Sequence, residues 1–321
     1  MQKKRSDKKK SYSKSGNSEK KSFSKNKEEK SGSFSSSNKR GSVKRGANKG
    51  AGNTSGSGKK KIRISKNAVS QNYSVSEKIR LNKFIAHAGL CSRREADTYI
   101  ADGKVTVNGK VVSEMGFKVD QRDTVVVDGQ TLSLEPFVYL LLHKPKNTIT
   151  TTEDERGRNT VLDEIENATG YRVYPVGRLD RNTTGLLVLT NDGDLAHRLM
   201  HPSYKVRKTY EVETLRELTD KELGGFNQGV ELEDGLAKGH SIKRFADVPN
   251  SFLISVFEGR NRLIRRMVEF YGTEVTKLKR IEYAGLTLKG VANGRWRFLK
   301  QTEINNLRKL VKLEALDFKK G

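Results

Sequence analysis

The 321-residue sequence predicts an α+β protein in three parts: a basic tail, a small ααββ module and a larger domain around a mixed or antiparallel sheet. Three observations predict this. Residues 1–76 hold few apolar side chains. Two helical patterns then lead into short strands punctuated by Asn108-Gly109 and Asp128-Gly129. Beyond Pro136, apolar strands are interleaved with few helices and show no regular strand–helix–strand rhythm, as expected of an α+β domain.

The tail carries most of the charge. Residues 1–76 contain 22 Lys and Arg against 4 Asp and Glu, a net of +18, whereas residues 77–321 contain 41 against 34, +7 of the chain's +25. Rich in Lys, Ser, Gly and Asn, the tail cannot bury enough surface to offset its ordering entropy and is expected to be disordered. Such an arm screens polyanion phosphate and speeds encounter; its plainer alternative is a solubilising segment. The single cysteine, Cys91, excludes an intramolecular disulfide and a cysteine-cluster metal site, and fits a reducing compartment. No apolar core follows the first lysines as in a secretory signal, and no stretch reaches the length of a membrane span. A cytoplasmic protein without membrane association is expected.

The module is assigned to residues 77–135. Leu81, Phe84, Ile85 and Ala88 have helical spacing, ended by Gly89. Ser92-Arg93-Arg94-Glu95 is a capping-box pattern opening a second helix, stopped at Gly103. Val105-Thr106-Val107 and Val111-Val112 flank Asn108-Gly109 as a hairpin, and Thr124 to Val127 is a further strand. Arginines in the first turn of a helix oppose its macrodipole. A phosphate at the start of the second helix would satisfy both Arg93 and Arg94 and the free amides; the simpler alternative is that both are solvated.

The larger domain is assigned to residues 136–300, with a closing helix, Glu303 to Leu316, and tail over 301–321. Val138 to Leu142 and Leu186 to Leu189 are continuous apolar runs, as in strands buried on both faces. Asn191-Asp192-Gly193 is read as a turn before a short helix, Asp194 to Met200. Thr209 to Val212 and Phe252 to Val256 are further strands. Arg262 to Tyr271 is read as an amphipathic helix with Leu263, Ile264, Met267, Val268 and Phe270 inside.

Chemistry points to one segment, Gly177-Arg178-Leu179-Asp180-Arg181-Asn182-Thr183-Thr184-Gly185, directly before a buried strand. A loop anchored to a rigid strand is suited to holding a reactive group, and flanking guanidinium groups favour the charged carboxylate. Asp180 is therefore a candidate nucleophile. No glycine-rich phosphate loop follows a strand, so no nucleotide cofactor is expected. The five histidines lack metal-ligand spacing of the usual kinds; His197 and His201, four apart across a helix end and followed by Pro202, have no zincin-type carboxylate beside them. No metal is expected. Arg260, Arg262, Arg265 and Arg266 crowd one short helix, as an exposed ridge on a polyanion backbone or with one arginine turned inward to Asp180. Tyr210, on an alternating strand, is by residue type alone a core aromatic.

Residues 80–113 resemble the small RNA-binding domain shared with ribosomal protein S-four. Gly177-Arg178-Leu179-Asp180-x-x-Thr183-x-Gly185-Leu186-Leu187, then Lys208-Thr209-Tyr210, then Glu258-Gly259-Arg260-Asn261-Arg262-Leu263-Ile264-Arg265-Arg266-Met267 resemble, in order and spacing, the motifs of the RsuA/RluB family of pseudouridine synthases. The resemblance covers residues 77–290. It implies a pseudouridine-synthase domain in which Asp180 is the catalytic aspartate, Tyr210 stacks on the target base and acts in proton transfer, and Arg265 pairs with Asp180. Leu263 stands where related sequences usually have Gln, and Asn147 where Gly is usual.

The resemblance also implies the partner, ribosomal RNA. The run Thr190 to Ser203 most resembles the branch acting on the large subunit, with a small-subunit enzyme as the alternative. Arg80, Lys83, Arg93, Arg94 and Lys104 on the module, and Arg178, Arg181, Arg260, Arg262 and Arg266 near the loop, are the expected RNA contacts of a monomer. A non-catalytic ribosome-assembly factor would share the tail and module but has no need of Asp180, Tyr210 and Arg265 together. A DNA-compacting protein would bind duplex DNA as tightly as rRNA in a salt titration.

Overall fold

The computed structural model describes residues 78–318. The disordered tail expected over 1–76 lies outside the described residues.

The module comprises β1 (Ile79–Arg80), α1 (Leu81–His87), α2 (Arg93–Ala101), β2 (Val105–Val107), β3 (Lys110–Val111), β4 (Lys118–Val119), β5 (Val125–Val127) and β6 (Gln130–Thr131). The α2 cap is reciprocal: the Ser92 hydroxyl accepts from the Glu95 N–H, and the Glu95 carboxylate accepts from the Ser92 N–H. Asn108 (φ +52°) and Gly109 (φ +78°), then Asp128 (φ +46°) and Gly129 (φ +79°), supply the paired left-handed residues that tight hairpin turns require. Four strands pair in the order β3-β2-β5-β6, and β1 pairs β4 separately. The expected ααββ pattern is present, with further short strands added to it. The extra strands are two residues long, too short to show an alternation. Leu81, Phe84, Ile85 and Ile100 from the helices close the core over Val105, Val125 and Val127.

The larger domain runs through β7 (Tyr139–Lys144), β8 (Tyr174–Pro175), β9 (Thr184–Thr190), α3 (Gly193–Met200), β10 (Lys208–Thr214), α4 (Asp220–Gln228), β11 (Val230–Leu232), β12 (Gly235–Ala237), β13 (Ser241–Arg244), β14 (Ser251–Val256), α5 (Leu263–Glu269), β15 (Val275–Tyr283), β16 (Leu286–Thr287), β17 (Trp296–Phe298) and α6 (Gln301–Leu310). Its main sheet has the order β13-β14-β10-β15-β9-β7-β17, with β8 paired to β9 and β16 to β15. Only β15 and β9 run parallel; the other pairs are antiparallel, so the sheet is mixed as predicted.

The continuous apolar runs serve two cores. Leu140, Leu142, Leu187 and Leu189 pack into one face with α4 and α5; Tyr139, Leu141, Leu186 and Val188 pack into the other with α3 and α6. Strands covered on both faces have no solvent side to carry polar residues.

Three expectations are corrected, and one strand was not foreseen. The Asn191-Asp192-Gly193 turn is the start of α3, where the Asp192 carboxylate accepts the Leu195 N–H at 3.0 Å. Helix α5 ends at Glu269, so Phe270 falls past its apolar stripe and is 57% exposed, while Tyr271 packs on Phe226. Helix α6 starts and ends earlier than Glu303 to Leu316: Glu303 is its third residue, with its carboxylate accepting the Lys300 N–H, and Lys312 turns left-handed at φ +58°. Strand β15 carries charged residues and a bulge, which hides its alternation.

The module rests on the larger domain. Lys83 Nζ donates to both Asp194 carboxylate oxygens at 2.8 and 2.9 Å, and the His87 ring stacks on Phe137 at 5.0 Å. Burial, with Lys83 alongside, lowers the His87 pKa to about 4.

Candidate active site

The Asp180 loop joins β8 to β9 and is fixed on both sides. Gly177 takes a left-handed φ of +81° at its entry. Before the aspartate, Thr150 Oγ1 donates to the Leu179 carbonyl at 2.8 Å and accepts the Leu179 N–H at 3.2 Å. After it, the Lys144 ammonium donates to the carbonyls of Thr183 (2.8 Å), Pro145 (3.0 Å) and Arg181 (3.3 Å). Lys144 is fully buried, and burial lowers its pKa to about 8 against the opposing pull of Asp180 and Glu164. The Thr183 N–H closes the turn onto the Asp180 carbonyl. A side chain held this way is positioned before substrate arrives, which is where catalytic electrostatics gains most.

Asp180 and Tyr210 line one cavity of about 140 Å³, together with Thr183, Lys208, Leu263 and Arg280. Arg265, 85 residues on, comes up from α5 with Nε 3.8 Å from Asp180 Oδ2. That separation is too long for a hydrogen bond, so the contact is Coulombic. Arg265 Nη1 holds the Val275 carbonyl at 3.0 Å. Burial and then Arg262 lower the Arg265 pKa, and Asp180 opposes them. Tyr210 is buried on β10 opposite Ile254 of β14 and Arg280 of β15. Asp180, Tyr210 and Arg265 thus meet at one site.

The expected RNA contacts divide into free and engaged groups. Arg178 and Arg181 are exposed beside Asp180, and Arg80, Arg93 and Arg94 are exposed on the module. Lys104, also exposed, pairs with Asp102 at 3.3 Å, and Arg262 with Glu269 at 3.2 Å. Lys83 is spent on Asp194. Arg260 and Arg266 both bind Asp234, and Arg260 also holds the Gly235 and Leu236 carbonyls, tying α5 to the β11–β12 turn.

Sequence reasoning assigned no role to Lys144, Thr150, Lys208 or Arg280. A lysine closing the apolar run of β7 was the one available signal. Asn147, where Gly is usual in related sequences, has φ +65°, a region Asn tolerates better than most residues. Leu263, in place of Gln, gives the cavity an apolar wall. The His197 and His201 rings lie 5.3 Å apart, and among the described residues no group of His, Cys, Asp or Glu is arranged to hold a metal.

A small module with exposed arginines precedes a mixed sheet that clamps an aspartate loop beside a cavity, and the family matches place the two together in a class of RNA-modifying enzymes. The S4 domain family model matches residues 79–125, and that for RNA pseudouridylate synthase matches residues 138–270. The chain is 46% identical over 236 residues to the ribosomal large subunit pseudouridine synthase B of Bacillus subtilis (strain 168), covering 72% of this chain and 96% of that protein. It is 37% identical to the dual-specificity RNA pseudouridine synthase RluF of Escherichia coli (strain K12), covering 75% and 82%. A solved pseudouridylate synthase structure superposes with a TM-score of 0.52 at 26% identity, covering 71% of this chain and 99% of its own. The chain belongs to the RsuA/RluB family of RNA pseudouridine synthases, with an S4 domain ahead of the synthase domain. Among the described residues no helix is long and apolar enough to cross a membrane.

Proposed function

We propose that this enzyme isomerises uridine in large-subunit ribosomal RNA to pseudouridine, as a cytoplasmic monomer, with Asp180, Tyr210 and Arg265 as its catalytic groups. The observation that carries the reading is Asp180 in a shared cavity with Tyr210, its carboxylate 3.8 Å from the Arg265 guanidinium. The large-subunit assignment is supported by the similarity to the B-type synthase of Bacillus subtilis. The domains are taken as 77–135, 136–300 and 301–321.

The reaction breaks the uracil N1–C1′ bond, rotates the base and joins C5 to C1′; the C5 proton is lost and N1 gains one. Atoms and charge balance within the substrate. The target uridine leaves its stack at a cost of a few kcal/mol, offset by stacking on Tyr210. Asp180 attacks C1′ or assists elimination to a glycal, and on either route opposes the positive charge developing at C1′. Arg265 fixes the carboxylate by charge. Tyr210, beside the base, is positioned to act on the C5 proton. Arg178 and Arg181 flank the entrance for phosphate contact.

Asp180→Asn is expected to lower turnover by at least ~10³-fold while leaving folding and RNA affinity intact. Pseudouridine formation by that variant at the wild-type rate would overturn the assignment. Mapping pseudouridines in both rRNA subunits from cells with and without the gene tests the subunit assignment.

A further inference from the structure

Arg280 is an unusual residue to find in the interior of this sheet. It lies on β15, hydrogen-bonded between β9 and β10, and is 2% exposed. Its Nε donates to the Leu186 carbonyl at 2.8 Å, and its guanidinium carbon lies 4.7 Å from the Tyr283 ring centroid. Its Nη2 is buried and has no hydrogen-bond partner among the described residues, and no carboxylate pairs with it. Leaving such a donor unsatisfied costs several kcal/mol unless something else uses it.

The surroundings say what uses it. Arg280 lines the cavity that holds Asp180 and Tyr210. The pairing of β10 with β15 shifts between Thr209 and Tyr210, so that Ile281 is the extra residue and Arg280 stands opposite Tyr210. Bulges beside active sites re-aim side chains in this way. On its other flank Arg280 pairs with Gly185 at the end of the Asp180 loop. A Cβ at Gly185 would lie 2.3 Å from the Arg280 carbonyl, so only glycine admits this approach. Lys208 stands nearby, buried, with its ammonium on the Val206 and Phe257 carbonyls, which take two of its three N–H groups. Burial and Arg280 lower the Lys208 pKa to about 8.

We infer that Arg280, assisted by Lys208, donates hydrogen bonds to the carbonyl oxygens of the target uracil and holds the base as an anion while it is detached from the sugar. This rests on the assignment of Asp180 to C1′. When the N1–C1′ bond breaks, its electron pair stays on N1 and spreads over O2 and O4. C5 then bonds to C1′, the C5 hydrogen leaves as a proton, and N1 takes one up. Two buried cations with no carboxylate in ion-pair contact among the described residues, Glu258 acting on Lys208 only from a distance, match a charge that exists only during the reaction. A backbone phosphate is the poorer match, because its charge is permanent and Arg178 and Arg181 stand exposed to meet it outside the cavity.

The test varies the leaving ability of the base. Fluorine at C5 withdraws electrons, so 5-fluorouracil departs with less help, and the step to read is single-turnover cleavage of N1–C1′. Arg280→Gln is expected to slow uridine RNA by about 100-fold but 5-fluorouridine RNA by only about tenfold, with RNA affinity retained. Equal slowing on both RNAs, or a loss confined to affinity, would overturn the inference. A second measurement needs no variant. The wild-type full chain should bind 5-nitrouracil, an anion at neutral pH, about tenfold more tightly than uracil; equal affinity would also overturn it. Asp180→Asn should keep this preference for the anion. Pseudouridine formation by Asp180→Asn would sink the assignment of Asp180 and leave the anion preference standing, so the two failures are distinct.

Discussion

On the S4 module, Arg93 and Arg94 stand exposed at the first turn of α2, whereas in the synthase domain Lys144, Lys208 and Arg280 are buried, held by main-chain carbonyls and by no carboxylate among the described residues. The two regions use the same chemistry for opposite ends. An exposed guanidinium stays hydrated, adapts to whichever phosphate arrives, and is screened by salt. A buried cation has lost its water and cannot be screened, so its position relative to Asp180 is fixed before RNA binds. On the proposed function, affinity is thus placed on the outside and rate on the inside.

The comparison is broken most directly at Lys144. Lys144→Met leaves three carbonyls of the Asp180 loop and its approach without their donor, and is expected to cost about 3 kcal/mol of stability and to lower kcat about 100-fold through misplacement of the carboxylate. Melting curves and single-turnover rates at saturating RNA check both. A lower melting temperature with kcat intact would make the clamp merely structural.

A pH titration sharpens the comparison without a mutation. Lys144 and Lys208 titrate near 8 in the fold against an ordinary 10.5, so above about 8 the unfolded chain holds more protons than the native one. Their linkage contribution therefore raises stability as pH climbs from about 8 toward 10.5. Activity moves the other way, because neutral amines lose the charge that fixes the loop and faces the base. The expected outcome is an alkaline fall in kcat near pH 8 without a matching fall in melting temperature. A kcat profile flat through that range would separate the lysines from turnover.

The smallest effect belongs to the outer region. Replacing Arg93 and Arg94 together by Ala is expected to reduce the slope of log affinity against log salt by about 1.5 and to weaken RNAs of different sequence alike. An unchanged slope would show that neither arginine meets phosphate.

Much of this was legible in the sequence, for reasons that differ by element. The α2 cap and both tight hairpin turns are local chemistry, written in four and two residues. β7 and β9 were visible because burial on both faces forbids polar residues. The Asp180 loop stood out from its own residues, a carboxylate between arginines ahead of a buried strand, whereas its partner Arg265 was found through the resemblance of three motifs, since no local rule links residues 85 apart. β15 was hidden because a bulge interrupts its alternation and its buried polar residue, Arg280, reads as surface. Lys144, Thr150 and Lys208 act through main-chain carbonyls, contacts that leave no complementary side chain for a sequence pattern to show. Phe270 misled because helical spacing was carried one residue past the end of α5.

The position of β15 also sets when the enzyme comes into being. β9, which follows Asp180, and β10, which carries Tyr210, are joined in the sheet only by β15 between them. During synthesis both groups proposed for the chemistry leave the ribosome more than 60 residues before that strand does. A nascent chain ending short of Val275 holds the reactive carboxylate and the ring on two unconnected halves. On the proposed function, the site is therefore assembled only once this late segment has joined the sheet.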